Sequence, residues 1–136
     1  MTTAEVANLA TVRDYYAAVE HGAEALDWNH WFTPDAIQEE FPNRLLPEGA
    51  RRDLAAMREA ALRGHALMAD QRFELLTAIA SGDTVVVEAE WRGTVGRDVG
   101  PFAAGMTLRT KFAQVLVLRG GKIAALRNYD CFFPWS

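Results

Sequence analysis

The residues best placed to do chemistry lie at residues 122–135, where Leu126, Asn128, Asp130 and Phe132 fall at every second position. Side chains alternate along a strand, so these four share one face. If that face looks inward, an amide and a carboxylate point into an apolar interior. Burying a carboxylate without partners costs several kcal/mol or raises its pKa. A strand that only stabilises a fold would seldom accept that. A carboxylate raised toward neutrality can, however, move a proton between carbons at physiological pH.

Other reactive residue types carry less. Glu88 and Glu90 form a carboxylate pair, but alternation puts them with Val86 and Arg92, opposite Val85, Val87, Ala89 and Trp91. The apolar set should face inward and the charged set outward, where carboxylates beside cations are ordinary. His21, His30 and His65 lack the spacing that gathers metal ligands on one face, and His30 follows Asp27 by one turn as a surface pair. Cys131 points away from Asp130, has no activating base, and reads as a small buried apolar group. Gly96, Gly100 and Gly105 do not open a helix after a strand, so no phosphate loop is implied. No cofactor motif is visible.

The elements that must position these residues follow from periodicity. Helical spacing of Val6, Leu9, Val12, Tyr15/Tyr16 and Val19 predicts a helix over residues 4–20, with Gly22 as terminator. A second helix is expected over residues 23–32, broken by Thr33-Pro34-Asp35, then a short strand over 36–41 ended by Pro42. A third helix is expected over residues 50–68. After Asp70 the period falls to 2, predicting strands over 71–80, 84–94, 106–119 and from 122 onward. Helices segregated from an antiparallel meander define an α+β fold.

At 136 residues the chain fits one domain with its own core, and with 50% hydrophobic and 24% charged residues it reads as an ordinary globular protein. Its net charge of −4, with no basic cluster larger than Arg51-Arg52, argues against nucleic acid as a partner. The opening residues show no signal peptide and no apolar run approaches a membrane span, so no membrane partner is expected. The single cysteine excludes an intrachain disulfide and fits a cytoplasmic location.

The order of elements and several words of sequence resemble the nuclear transport factor 2 superfamily, in its SnoaL-like and ketosteroid-isomerase-like branch. Those words are Tyr15-Tyr-Ala-Ala-Val19, Trp31-Phe-Thr-Pro-Asp-Ala36, Glu40-Phe-Pro42, Glu90-Trp-Arg-Gly-Thr94 and Gly121-Lys-Ile with Asn128-Tyr-Asp-Cys-Phe-Phe133. The resemblance implies a cone: a curved antiparallel sheet packed on three N-terminal helices around an apolar pocket. Counting forward from Phe32 puts Glu40 where the isomerases have their general-base Asp; counting back from Pro42 puts Phe41 there. We take Glu40 as inward, with Gln38 beside it. Tyr15 lies where those enzymes have an oxyanion-stabilising Tyr, although Tyr16 sits better on the helix's apolar stripe and one of the two is core. Gln114 occupies the place of their protonated Asp, leaving that dyad incomplete. SnoaL-like cyclases use a pocket Asp as acid or base, and the resemblance makes Asp130 an in-pocket candidate for that role. Limonene-type epoxide hydrolases have an Arg-Asp-Tyr word in the last strand, where this chain has Arg127-Asn-Tyr129, so Asn128 counts against that reaction.

The expectation is therefore a cofactor-free α+β cone, forming a homodimer through its outer sheet face and taking a small hydrophobic ligand. Asp130, Glu40 and Tyr15 would be catalytic. Gln38, Gln114, Asn128, Trp31, Met57, Val87, Trp91, Phe112 and Leu126 would bind the substrate. The chemistry would be isomerisation, cyclisation or dehydration of a carbonyl, polyketide or terpenoid-like molecule. The competing reading is a non-catalytic ligand-binding or dimerisation module of the same fold.

Overall fold

A computed structural model describes residues 1–135. The chain runs α1 (Thr3–Glu20), α2 (Trp28–Trp31), β1 (Phe32–Glu40), β2 (Ala50–Asp53), α3 (Leu54–Leu67), β3 (Met68–Ser81), β4 (Thr84–Val95), β5 (Thr107–Arg119) and β6 (Lys122–Phe132). The six strands form one sheet in the order β2-β1-β6-β5-β4-β3. Pairing is antiparallel except between β1 and β6, so the sheet is mixed rather than wholly antiparallel as expected. The fold is α+β, with an open sheet packed against the helices. Among the described residues no helix is long and apolar enough to cross a membrane.

Local chemistry explains where the elements begin. Thr2 and Glu5 form a capping box that satisfies orphan amides at the start of α1. Residues 50–53 are a strand and not the first turn of a helix. Asp53 accepts from the Ala56 amide at 2.9 Å and so starts α3 at Leu54. Upstream, Arg51 pairs with Glu39 and Arg52 with Glu40 across the β1–β2 ladder. Asp27 likewise caps α2 through the His30 amide, so α2 is one turn and Asp27 is a cap rather than a surface partner of the His30 ring. Strand β1 begins at Phe32, four residues earlier than expected. Pro34 is tolerated because it falls in the register break between Phe32 and Ile37.

The Gly120-Gly121 turn between β5 and β6 has φ of 61° and 77°, the left-handed pair that a tight hairpin requires. It fixes which face each later residue of β6 presents. In β4, Val85, Val87 and Ala89 are fully buried while Glu88 is exposed, as alternation predicted. Cys131 does point away from Asp130, but it is exposed rather than buried, because no helix covers that face of β6 at its end. The core joins Leu9 and Val12 of α1 to Phe32, Val85, Val87, Leu116, Ile123 and Leu126 of the sheet.

Candidate active site

Strand register decides which inward side chains meet. Asn128 of β6 lies opposite Gln114 of β5 and opposite Glu40 of β1, while Gln114 lies opposite Val87 of β4. Three polar side chains thus form a stripe across adjacent strands. The next inward row is Asp130, Phe112 and Ala89, and the one beyond it is Phe132, Thr110, Trp91 and Phe73. Apart from Ala89, the side chains of these rows, with Tyr15, Tyr16 and Val19 of α1, wall a cavity of about 430 Å³. Leu45, Val99 and Phe102 from loops and His65 from α3 also contribute to the lining.

The cavity brings together most of the expected residues. Asp130, Glu40, Tyr15, Gln38, Gln114, Asn128, Trp91 and Phe112 all line it. Trp31, Met57, Val87 and Leu126 do not. Met57, Val87 and Leu126 are buried in the core cluster with Val12 and Phe32. Val87 and Leu126 are taken up by packing in that core cluster and do not open onto the cavity. Trp31 stands behind Tyr15, edge-on at 5.9 Å between ring centroids. Alternation can assign a face, but not which part of that face a helix covers.

The two carboxylates are held differently. Glu40 Oε1 accepts from Arg52 Nη1 at 3.1 Å, and its Oε2 accepts from Asn43 Nδ2 at 3.2 Å. Arg52 Nη1 also donates to Gln38 Oε1 at 3.1 Å. The Glu40 and Arg52 side chains are only 15% and 17% exposed, so the pair is largely withdrawn from water. Asp130 has neither an ion-pair nor a hydrogen-bond partner among the described residues. Burial first, then the negative charge of Glu40, push its pKa up to about 6.

The two tyrosines also divide. The Tyr16 hydroxyl donates to Gln114 Oε1, and Gln114 Nε2 donates to Asn128 Oδ1 at 2.9 Å. That chain uses the Asn128 oxygen and leaves its amide nitrogen free to donate. Tyr15 is 9% exposed, and its hydroxyl has no partner among the described residues. Burial raises the pKa of both phenols, and for Tyr16 the charges of Tyr15 and Asp130 raise it further. Both remain protonated. Tyr16 is therefore more than the core residue its place on the apolar stripe suggested.

Sequence reasoning missed Arg52, Asn43, Tyr16 and Thr110 at this site. Arg52 stood out only as half of the densest basic word, and its partners lie 12 and 14 residues away across a strand pair. Asn43 sits in a loop turn, its Oδ1 accepting from the Leu45 and Leu46 amides, a placement that no periodic pattern signals.

On the outer face, Glu90 is paired with Arg92 at 3.3 Å and with Arg109. The Arg109 hydrogen bond is the main reason its carboxyl is held below the usual range. That pair is charge compensation at the surface, as the alternation implied.

An open, mixed six-stranded sheet packed against helices, with a cavity lined by an unpartnered carboxylate, defines the α+β architecture of this chain. The chain belongs to the SnoaL-like domain family, whose model matches residues 12–126. No curated protein matches it in sequence. Among solved structures it is similar to IdmH of Streptomyces antibioticus, a candidate polyketide cyclase, with 19% identity, a TM-score of 0.74, and 90% and 91% of the two chains covered. A Catenulispora acidiphila protein with a ketosteroid isomerase-like fold, in complex with trimethylamine, has 21% identity and a TM-score of 0.68 over 88% of this chain and 83% of that one. An LEH-like epoxide hydrolase of M. tuberculosis has 14% identity and a TM-score of 0.70 over 93% and 84%. At these identities the likeness is one of fold.

Proposed function

We propose that the pocket carries out cofactor-independent acid–base chemistry on a small hydrophobic carbonyl compound, of the isomerising or aldol-cyclising type, with Asp130 moving the proton. The supporting observation is the asymmetry of the two carboxylates. Both Glu40 oxygens are engaged by Arg52 and Asn43, whereas Asp130 is unpartnered with a pKa raised to about 6. Glu40 is then tied up in its ion pair with Arg52, and Asp130 is the carboxylate left to move the proton.

In this reading the Asp130 carboxylate takes a proton from the carbon next to the substrate carbonyl. The carbonyl oxygen becomes an enolate held by the free Tyr15 hydroxyl and the Asn128 amide, donors that stabilise charge strongly in a water-poor site. Asp130 then returns the proton to another carbon, or the enolate carbon attacks a second carbonyl and the new alkoxide takes the proton. Tyr16 and Gln114 orient Asn128. Polyketide-like substrates suit this chemistry, as the candidate polyketide cyclase among the structural neighbours also suggests. Epoxide hydrolysis is disfavoured because Asn128, not a carboxylate, occupies the inward position of the Arg127-Asn128-Tyr129 word.

The test needs no natural substrate. Exchange of the α-hydrogens of 2-tetralone in D2O, followed by NMR, should be accelerated by the wild type with an inflection near pH 6. Asp130→Asn should remove the acceleration. Glu40→Gln should keep it but move the inflection downward. Tight binding without any exchange would convert the site into a ligand-binding module.

The second copy of this chain is the partner we assign to the outer sheet face. Ile79 and Val86 are cross-strand neighbours there, 61% and 41% exposed, and Tyr129 is 46% exposed. A bare apolar sheet face flanked by paired charges suits a self-complementary twofold contact. The free Cys131 suits a reducing cytoplasm.

A further inference from the structure

Thr110 is 3% exposed and lies on the cavity wall. Its Oγ1 is the one buried side-chain polar atom without a hydrogen-bond partner among the described residues. Its cross-strand neighbours are Trp91 and Phe132, both cavity-lining, so the hydroxyl sits in an otherwise apolar wall. A buried hydroxyl without a partner is destabilising, and valine would fill the same shape at no such cost. By contrast, the indole of its neighbour Trp91 is bonded to Gln71 Oε1 at 3.2 Å.

We propose that Thr110 is a specificity-determining residue whose hydroxyl binds a second oxygen on the ligand, so that the pocket takes compact molecules with two oxygen functions in preference to one. This rests on the reading of Asp130 as the reacting end. Phe112 pairs with Asp130 and Thr110 with Phe132, which makes Thr110 a diagonal neighbour of Asp130. Diagonal neighbours stand roughly 7–8 Å apart. That spacing separates the second oxygen from the reacting carbon by a few bonds, about the breadth of a fused bicycle. A single χ1 step exchanges the hydroxyl and methyl of threonine, carrying the oxygen into the cavity when a ligand offers a partner.

The experiment compares 2-tetralone with its 5-, 6- and 7-hydroxy derivatives by tryptophan-fluorescence titration of wild type, Thr110→Val and Thr110→Ser. One hydroxy isomer should bind the wild type about tenfold tighter than 2-tetralone, a difference typical of one good hydrogen bond. Thr110→Val should erase that advantage and Thr110→Ser should keep it, the advantage being read within each protein as the ratio of the hydroxy isomer's affinity to that of 2-tetralone. Thr110→Val should also melt no lower than wild type, because it removes an unpartnered polar atom. An advantage that survives Thr110→Val, or none for any isomer while 2-tetralone binds, overturns the inference and leaves the Asp130 reading intact. Failure of 2-tetralone to bind the wild type at all overturns both.

Discussion

Arg52 Nη1 lies 3.1 Å from Glu40 Oε1, and this contact separates two carboxylates that share one cavity. It gives Glu40 a cation on the neighbouring strand and leaves Asp130 with none. The ion pair thus leaves Asp130 as the unpartnered carboxylate of the cavity.

Stability should record the strain on Asp130. Its folded pKa of about 6 lies above the ordinary value of 3.8, so native stability is fully present below pH 3.8 and is lost as pH rises through 6. Each tenfold difference is worth about 1.4 kcal/mol, which sets a ceiling of about 3 kcal/mol. Partial contact with water lowers this to about 1–2 kcal/mol. Urea unfolding should therefore find Asp130→Asn more stable than wild type by that amount at pH 8 and equal to it at pH 3. A loss of stability at pH 8 would contradict the assignment.

Removing the cation should be worse than removing both charges. Arg52→Met leaves Glu40 largely buried without its partner and should cost about 2–4 kcal/mol. The double variant Arg52→Met/Glu40→Gln should recover at least half of that loss. Additive costs in the double-mutant cycle would mean that the two side chains do not interact.

Gly93 holds the place of the Trp91 indole. A Cβ at Gly93 would lie 2.5 Å from Trp91 Cζ2, because the ring folds over the glycine on the same face of β4. Gly93→Ala should therefore push the indole off the cavity wall, break its bond to Gln71 and cost about 1–3 kcal/mol. A shifted tryptophan emission maximum with weakened 2-tetralone binding is the expected signature. Unchanged emission would show that the ring has room to move.

The outer sheet face should carry the oligomer. Sedimentation at micromolar concentration should give twice the chain mass for wild type, and Ile79→Arg, at a 61% exposed position, should give a monomer with unchanged secondary structure. A monomeric wild type would leave that face without its assigned partner.

The chain's own pattern was enough to establish the meander and to set Asp130 with Asn128 on one face of β6, and Val85, Val87 and Ala89 on one face of β4. All of these follow from a period of 2 counted from a turn whose glycines are unmistakable. The strand Ala50–Asp53 escaped that logic, since four residues are too few to show a period and two arginines do not look like a strand. So did the parallel β1–β6 pairing, which joins segments at opposite ends of the sequence and leaves no local mark. The same limit separates the expected pocket residues that line the cavity from Val87, Leu126 and Met57, which helix packing buries in the core. Tertiary structure alone decided that Arg52 would neutralise Glu40 and that Tyr16 would bond Gln114. Periodicity encodes which way a side chain points. What it meets depends on elements brought together by folding, and that meeting sets its charge.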